Sequence, residues 1–128
     1  MVRVATNVSI LDLVQAILAE RDLEVRQLVM DLQDNTQSFS NVAKPDTQNP
    51  EELVVAAALV ELFAMRRGER RGELPPSWTQ QIAGLDKPLY LLGDPNRYPR
   101  FYARCVQESP EPLKRRNLIA PRNYLTFA

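Results

Sequence analysis

The sequence predicts an all-α, single-domain helical bundle around a central apolar helix at about residues 50–67, with a proline-broken C-terminal half of short helices. Three observations carry this. The stretch "NPEELVVAAALVELFAMRRG" is apolar on nearly every side from Leu53 to Ala64, so neighbours must cover it. Two segments before it repeat apolar residues at three- and four-residue steps, the period of a helix with one buried face. Only one strand-like run, "LYLLG", is present, and no second run stands out to pair with it as a hairpin.

The first helix begins at "SILDLVQAILAER". Ser9 is a good N-cap, and Asp12 three residues on returns the hydrogen bond in a capping box. Ile10, Leu13, Val14, Ile17 and Leu18 form its buried stripe. The second helix follows in "DLEVRQLVMDLQ", with Asp22 as its cap and Val25, Leu28, Val29 and Leu32 on its apolar face. The short connection makes the two an antiparallel or angled pair. Residues 34–49, polar and turn-rich, read as a long loop with room to be mobile, pinned to the core by Phe39 and Val42.

Asn49 caps the central helix and Pro50 takes its first position, where the missing N–H costs nothing. Glu51 and Glu52 sit at the positive end of the macrodipole, Arg66 and Arg67 at the negative end, and Gly68 ends the helix. Prolines then break the chain. A short helix is expected near Trp78 to Ile82, capped by Ser77. "RYPRFYARCVQES" reads as a helix with Pro99 in its first turn and Phe101, Tyr102, Cys105 and Val106 inward. "PEPLKRRN" starts a short helix at or near Pro110, and "APRNYLTFA" allows one more turn from Pro121.

A chain of 128 residues is one domain, 1–128, and buries roughly two-thirds of its unfolded surface. It therefore needs neither metal nor disulfide to fold, and the lone Cys105 forms no internal bridge. One unpaired thiol fits a reducing, cytoplasmic setting. No signal peptide is expected, because Arg3 interrupts the N-terminal apolar residues and no long apolar region follows. The longest apolar run, 53–65, is broken by Glu61 and falls short of the ~20 residues that span a bilayer, so no membrane partner is implied.

The composition excludes several chemistries. There is no histidine, which removes the commonest general base, the Ser-His and Cys-His pairs and the commonest metal ligand. Four glycines, none spaced to cradle a phosphate, imply no nucleotide cofactor. The pairs Asp31/Asp34, Glu51/Glu52 and Glu20/Glu24 read as solvated helix faces, and Cys105 as a small core hydrophobe. The chain is expected to be no enzyme, with no catalytic residue, no cofactor and no metal site.

Charge is uneven along the chain. Residues 1–65 hold 4 basic and 10 acidic side chains, whereas residues 97–128 hold 7 and 2, so the halves either neutralise each other or present one sign to a partner. Arg66, Arg67, Arg70 and Arg71, with Trp78 close behind, form the first candidate partner-binding cluster. They read as a solvated helix end, as a grip on an acidic protein, or as a phosphate clamp with a stacking aromatic. Lys114, Arg115 and Arg116 form the second cluster. The N-terminal helix pair invites a helix-turn-helix reading, but Glu24, Asp31 and Asp34 make its second helix too acidic for a DNA groove. A small-molecule site would need an interior pocket with a few polar groups, of which the sequence gives no sign.

Three stretches, "LPPSWT", "LDKPLYLL" and "ESPEPLKRRNLIAPRNYLTFA", together resemble a loosely defined family of uncharacterised small bacterial proteins. Related segments occur behind helix-turn-helix domains, and some are encoded beside predicted nucleotidyltransferase toxins. The resemblance covers about half the chain and implies an antitoxin-like role. Two departures stand out: no DNA-binding domain precedes these segments, and Leu89-Tyr90 stands where a heavier aromatic pair is usual. The resemblance also implies a structured C-terminus. Leu118, Ile119, Tyr124, Leu125 and Phe127 would dock on the core, with Lys114, Arg115 and Arg116 capping carbonyls or facing a partner. The expected function is a non-enzymatic protein-binding module, its partner a toxin or an enzyme. The alternative is a nucleic-acid-binding accessory protein that uses the same arginine and lysine clusters.

Overall fold

The structure is a computed structural model and describes residues 9–67 and 73–126. It is a helical bundle with one minimal sheet. Helix α1 (Ile10–Leu18) opens with the expected capping box: the Ser9 hydroxyl accepts from the Asp12 amide at 3.2 Å, and the Asp12 carboxylate accepts from the Ser9 amide at 3.3 Å. Ile10, Leu13, Val14, Ala16 and Ile17 are buried, and Leu18 sits at the edge of the core. The helix closes through a left-handed residue, Glu20 (φ 59°), which lets the Arg21 amide reach back to the Ala16 carbonyl at 3.0 Å. Helix α2 (Asp22–Asn35) follows at once. Asp22 is its first helical residue rather than its cap, so its charge meets the macrodipole without closing a capping hydrogen bond.

The connection after α2 is held at several points. One 3₁₀ turn (Phe39–Asn41) drives Phe39 into the core against Phe63, ring centroids 5.3 Å apart. The indole of Trp78 donates to the Val42 carbonyl at 2.8 Å. Helix α3 (Pro50–Arg67) is then capped as its sequence requires, with the Asn49 side chain accepting from the Glu51 amide at 2.9 Å. Every residue from 54 to 64 is buried, including Glu61. Helix α3 is the axis of the bundle, packed by α1, by the 3₁₀ turn, by helix α4 (Ser77–Gln80) and by helix α6 (Glu111–Lys114). The expected stop at Gly68 lies outside the described residues. Helix α4 begins after Pro76 with no side-chain cap, so Ser77 is inside the helix and not its cap.

Two further expectations are corrected. The "LYLLG" run does find a partner: strand β1 (Leu89–Tyr90) pairs in parallel with strand β2 (Leu118–Ile119), Leu89 opposite Leu118 and Tyr90 opposite Ile119. A hairpin needs a neighbouring strand, whereas parallel strands need a long crossover, here supplied by α6 and by helix α5 (Pro99–Glu108). On α5 only Tyr102 and Cys105 turn inward, while Phe101 and Val106 are 41% and 46% exposed. The helix rests on a narrow seam, a small cluster of Tyr102, Cys105, Ile119 and Tyr90, which leaves no inner surface for four side chains.

The C-terminal segment docks as expected through Leu118, Ile119, Tyr124 and Leu125, all buried; Phe127 lies outside the described residues. Among the described residues, no helix is long and apolar enough to cross a membrane.

Candidate functional site

The structure separates the cations that the sequence groups together. Arg116 is 2% exposed and lies inside the bundle. Its guanidinium grips the Glu61 carboxylate with both ends, Nη1 to Oε1 at 2.8 Å and Nη2 to Oε2 at 2.9 Å. The remaining donors go to the carbonyls of Thr79 (2.8 Å), Pro112 (3.0 Å) and Ile82 (3.3 Å). An internal guanidinium with its donors spent on the protein is not a surface grip for a partner. Arg115, its side chain about half exposed, also pairs with Glu61. Burial alone would push the Glu61 carboxyl up, but the Arg116 hydrogen bonds and the charges of Arg116 and Arg115 hold it below the ordinary carboxylate range.

Most of the other candidates are engaged within the protein too, although the Arg66 Nη1 is buried without a hydrogen-bond partner. Arg67 donates to the Gln33 carbonyl at 2.8 Å and to the Thr36 carbonyl, closing the C-terminus of α2, and lies 4.5 Å over the Phe39 ring. Arg66 reaches the Arg122 carbonyl at 3.4 Å, and its burial lowers its pKa. Lys114 donates to the Gln107 carbonyl at 3.2 Å from an exposed position. Trp78 is committed to Val42. Arg70 and Arg71 lie outside the described residues. The two clusters are therefore not brought together: Arg67 and Trp78 secure the long connection, and Arg115 and Arg116 converge on α3.

Removing these cations from consideration leaves a face that the sequence reading passed over. Arg97, Tyr98, Arg100, Phe101 and Arg104 are all exposed on α5 and the turn before it. Arg100 and Arg104 lie one helical turn apart, with Phe101 flanking Arg104. Among the described residues none of these arginines forms an ion pair. A groove of about 390 Å³ runs beside them, between Phe101, Arg104 and Glu108 on one wall and Pro121 and Arg122 on the other. Cys105 forms its floor. Burial, with the Glu108 charge adding, raises the thiol's pKa, the opposite of what a nucleophile needs. The signal for this face was available: 97–104 holds three arginines and no acid, and Pro99 fixes the helix start.

No family model matches the chain, and neither a curated protein nor a solved structure does.

Proposed function

We propose that this protein is a non-enzymatic binding module whose outward α5 face receives an acidic surface of a protein partner. The carrying observation is a face of arginines that form no ion pair among the described residues, interleaved with the exposed rings of Tyr98 and Phe101. Arginine and aromatic side chains are enriched at protein interfaces and lysine is depleted, and this face has no lysine. Phe101 serves as the apolar anchor, and Arg100 and Arg104 pair with carboxylates around it. An antitoxin-like role, as the resemblance implies, would place an acidic patch of a toxin or enzyme on this helix.

The same arginines and rings also suit a nucleic-acid strand, which is the second reading. The deciding experiment is affinity capture from nuclease-treated lysate of the native host, using the wild type, Phe101→Ala and the double variant Arg100→Glu/Arg104→Glu. One stoichiometric protein, retained by the wild type and lost by both variants at unchanged melting temperature, is the expected result. Capture that ignores the substitutions would sink the assignment of this face. Binding to a random oligonucleotide that weakens steeply with salt would move the function to nucleic acid.

A further inference from the structure

We propose that the cavity between the α1–α2 corner, the turn after β1 and the C-terminal turn binds a small apolar amine in its protonated form. The cavity has a volume of about 320 Å³ and is walled by Ile17, Val25, Leu91 and Leu125. A cavity of about 150 Å³ already accepts benzene, so there is room here for a ring with a short arm. The one charged side chain in the lining is the Asp22 carboxylate, held at the start of α2. An apolar chamber with a single fixed charge at its edge selects a ligand that is greasy at one end and oppositely charged at the other.

A phenol in the lining strengthens the case. Tyr124 lines the cavity, is 5% exposed, and makes no side-chain hydrogen bond among the described residues. Its hydroxyl is open to the cavity rather than sealed in the core, so it can accept a hydrogen bond from a ligand there. Burial drives its pKa far above the ordinary range, and the charges of Tyr102 and Asp22 add to this. The Tyr102 hydroxyl, outside the cavity lining, is buried without a hydrogen-bond partner, although the Leu92 backbone is near enough to favour its phenolate.

Two further carboxylates lie near the phenol of Tyr102. Glu20 and Asp94 both act on Tyr102. Glu20 is carried there by its left-handed backbone, with its carboxylate close against Gly93. Arg21, the cation nearest in sequence, turns away to pair with Glu24 at 3.2 Å. Asp22 thus stands as the charge of a lining that holds no cation, and Glu20 and Asp94 lie outside that lining. An anion is repelled there, and a neutral ring gains only the apolar walls. A protonated amine gains the walls, a charge-assisted hydrogen bond to Asp22 and the Tyr124 oxygen as a second acceptor.

Three probes share one ring and differ in charge: phenethylamine, 2-phenylethanol and phenylacetate. Each would be titrated into the full-length protein and followed by backbone amide NMR. Phenethylamine should shift the Leu91, Leu92, Tyr124 and Leu125 amides saturably. The alcohol should bind about tenfold more weakly, and phenylacetate weaker still. Asp22→Asn should reduce the amine to the level of the alcohol and leave the alcohol unchanged, which also shows that the cavity is intact. Equal affinity for all three probes, no saturable shift at these amides, or an amine affinity indifferent to Asp22→Asn would each overturn the proposal.

Discussion

Glu61 carries one of the two central side chains at the residue scale, and Arg116 the other. Their side chains are 5% and 3% exposed, so each relies chiefly on the other for its charge to be tolerable in the interior. Arg116→Ala leaves the buried carboxylate with only the half-exposed Arg115 and should cost about 3 kcal/mol in denaturant unfolding. The double variant Glu61→Leu/Arg116→Met, which removes both charges at similar volume, should be markedly more stable than Arg116→Ala. A double variant as unstable as the single one would show that packing, not charge, holds the site. The pair also sets an acid limit. The folded Glu61 carboxyl titrates below its ordinary value of 4.5, so its contribution is present above that value and is lost as pH falls through the folded pKa. Stability should therefore fall below about pH 4.5, and Glu61→Gln should flatten that limb of the pH profile. Half of this was legible. Glu61 is the only charge between Leu53 and Ala64, and a charge inside an all-apolar stretch requires a partner. Which of three consecutive cations would supply it depends on where α6 ends, and no local pattern sets that.

Elements were readable where the chain advertises its own ends. Ser9 with Asp12 and Asn49 with Pro50 each hold their signals within four residues, and α1 and α3 begin where those signals place them. The parallel pair β1–β2 was not legible, because its two halves are distant in sequence and "NLIA" reads alone as an apolar tail. Gly84, just before β1, lies tight against the backbone of Arg116, just before β2. A Cβ there would stand 2.5 Å from the Arg116 Cα, while the next amide, Leu85, donates to the Arg116 carbonyl at 3.0 Å. Gly84→Ala must push 84–85 away from 116–117, although the position looks exposed. The expected cost is about 1–3 kcal/mol in chemical denaturation, with the Leu85 and Leu89 amides losing hydrogen-exchange protection first. Unchanged protection at those amides would mean that the contact relaxes freely. The outward turn of Phe101 and Val106 has a related cause. Apolar spacing on α5 marks what could be buried, but the width of the seam decides how many side chains fit.

At the scale of the whole molecule, the C-terminal segment completes the core rather than decorating it. Leu118, Ile119, Tyr124 and Leu125 are each 6% exposed or less. At about 1.5–3 kcal/mol per buried side chain their loss rivals the total margin of a small domain. A chain stopped after Arg116 should show no cooperative melting transition by calorimetry; a sharp transition near the wild-type temperature would refute the docked segment. The bundle and its central helix were readable from composition and periodicity. The fate of the uneven charge was not. Among the described residues, the only ion pairs joining the acidic first half to the basic last quarter are those of Glu61. The α5 arginines stay outside any such pair, so the molecule keeps a positive face despite a net charge of zero.

The Glu61–Arg116 pair spans 55 residues of chain. At a synthesis rate of about 5–20 residues per second, the carboxylate is made roughly 3–11 s before its counter-ion. Throughout that interval the central helix carries an unanswered charge on a surface that is otherwise ready to collapse. A core that closed before Arg116 arrived would enclose Glu61 without its internal partner, at the penalty of a poorly answered buried charge.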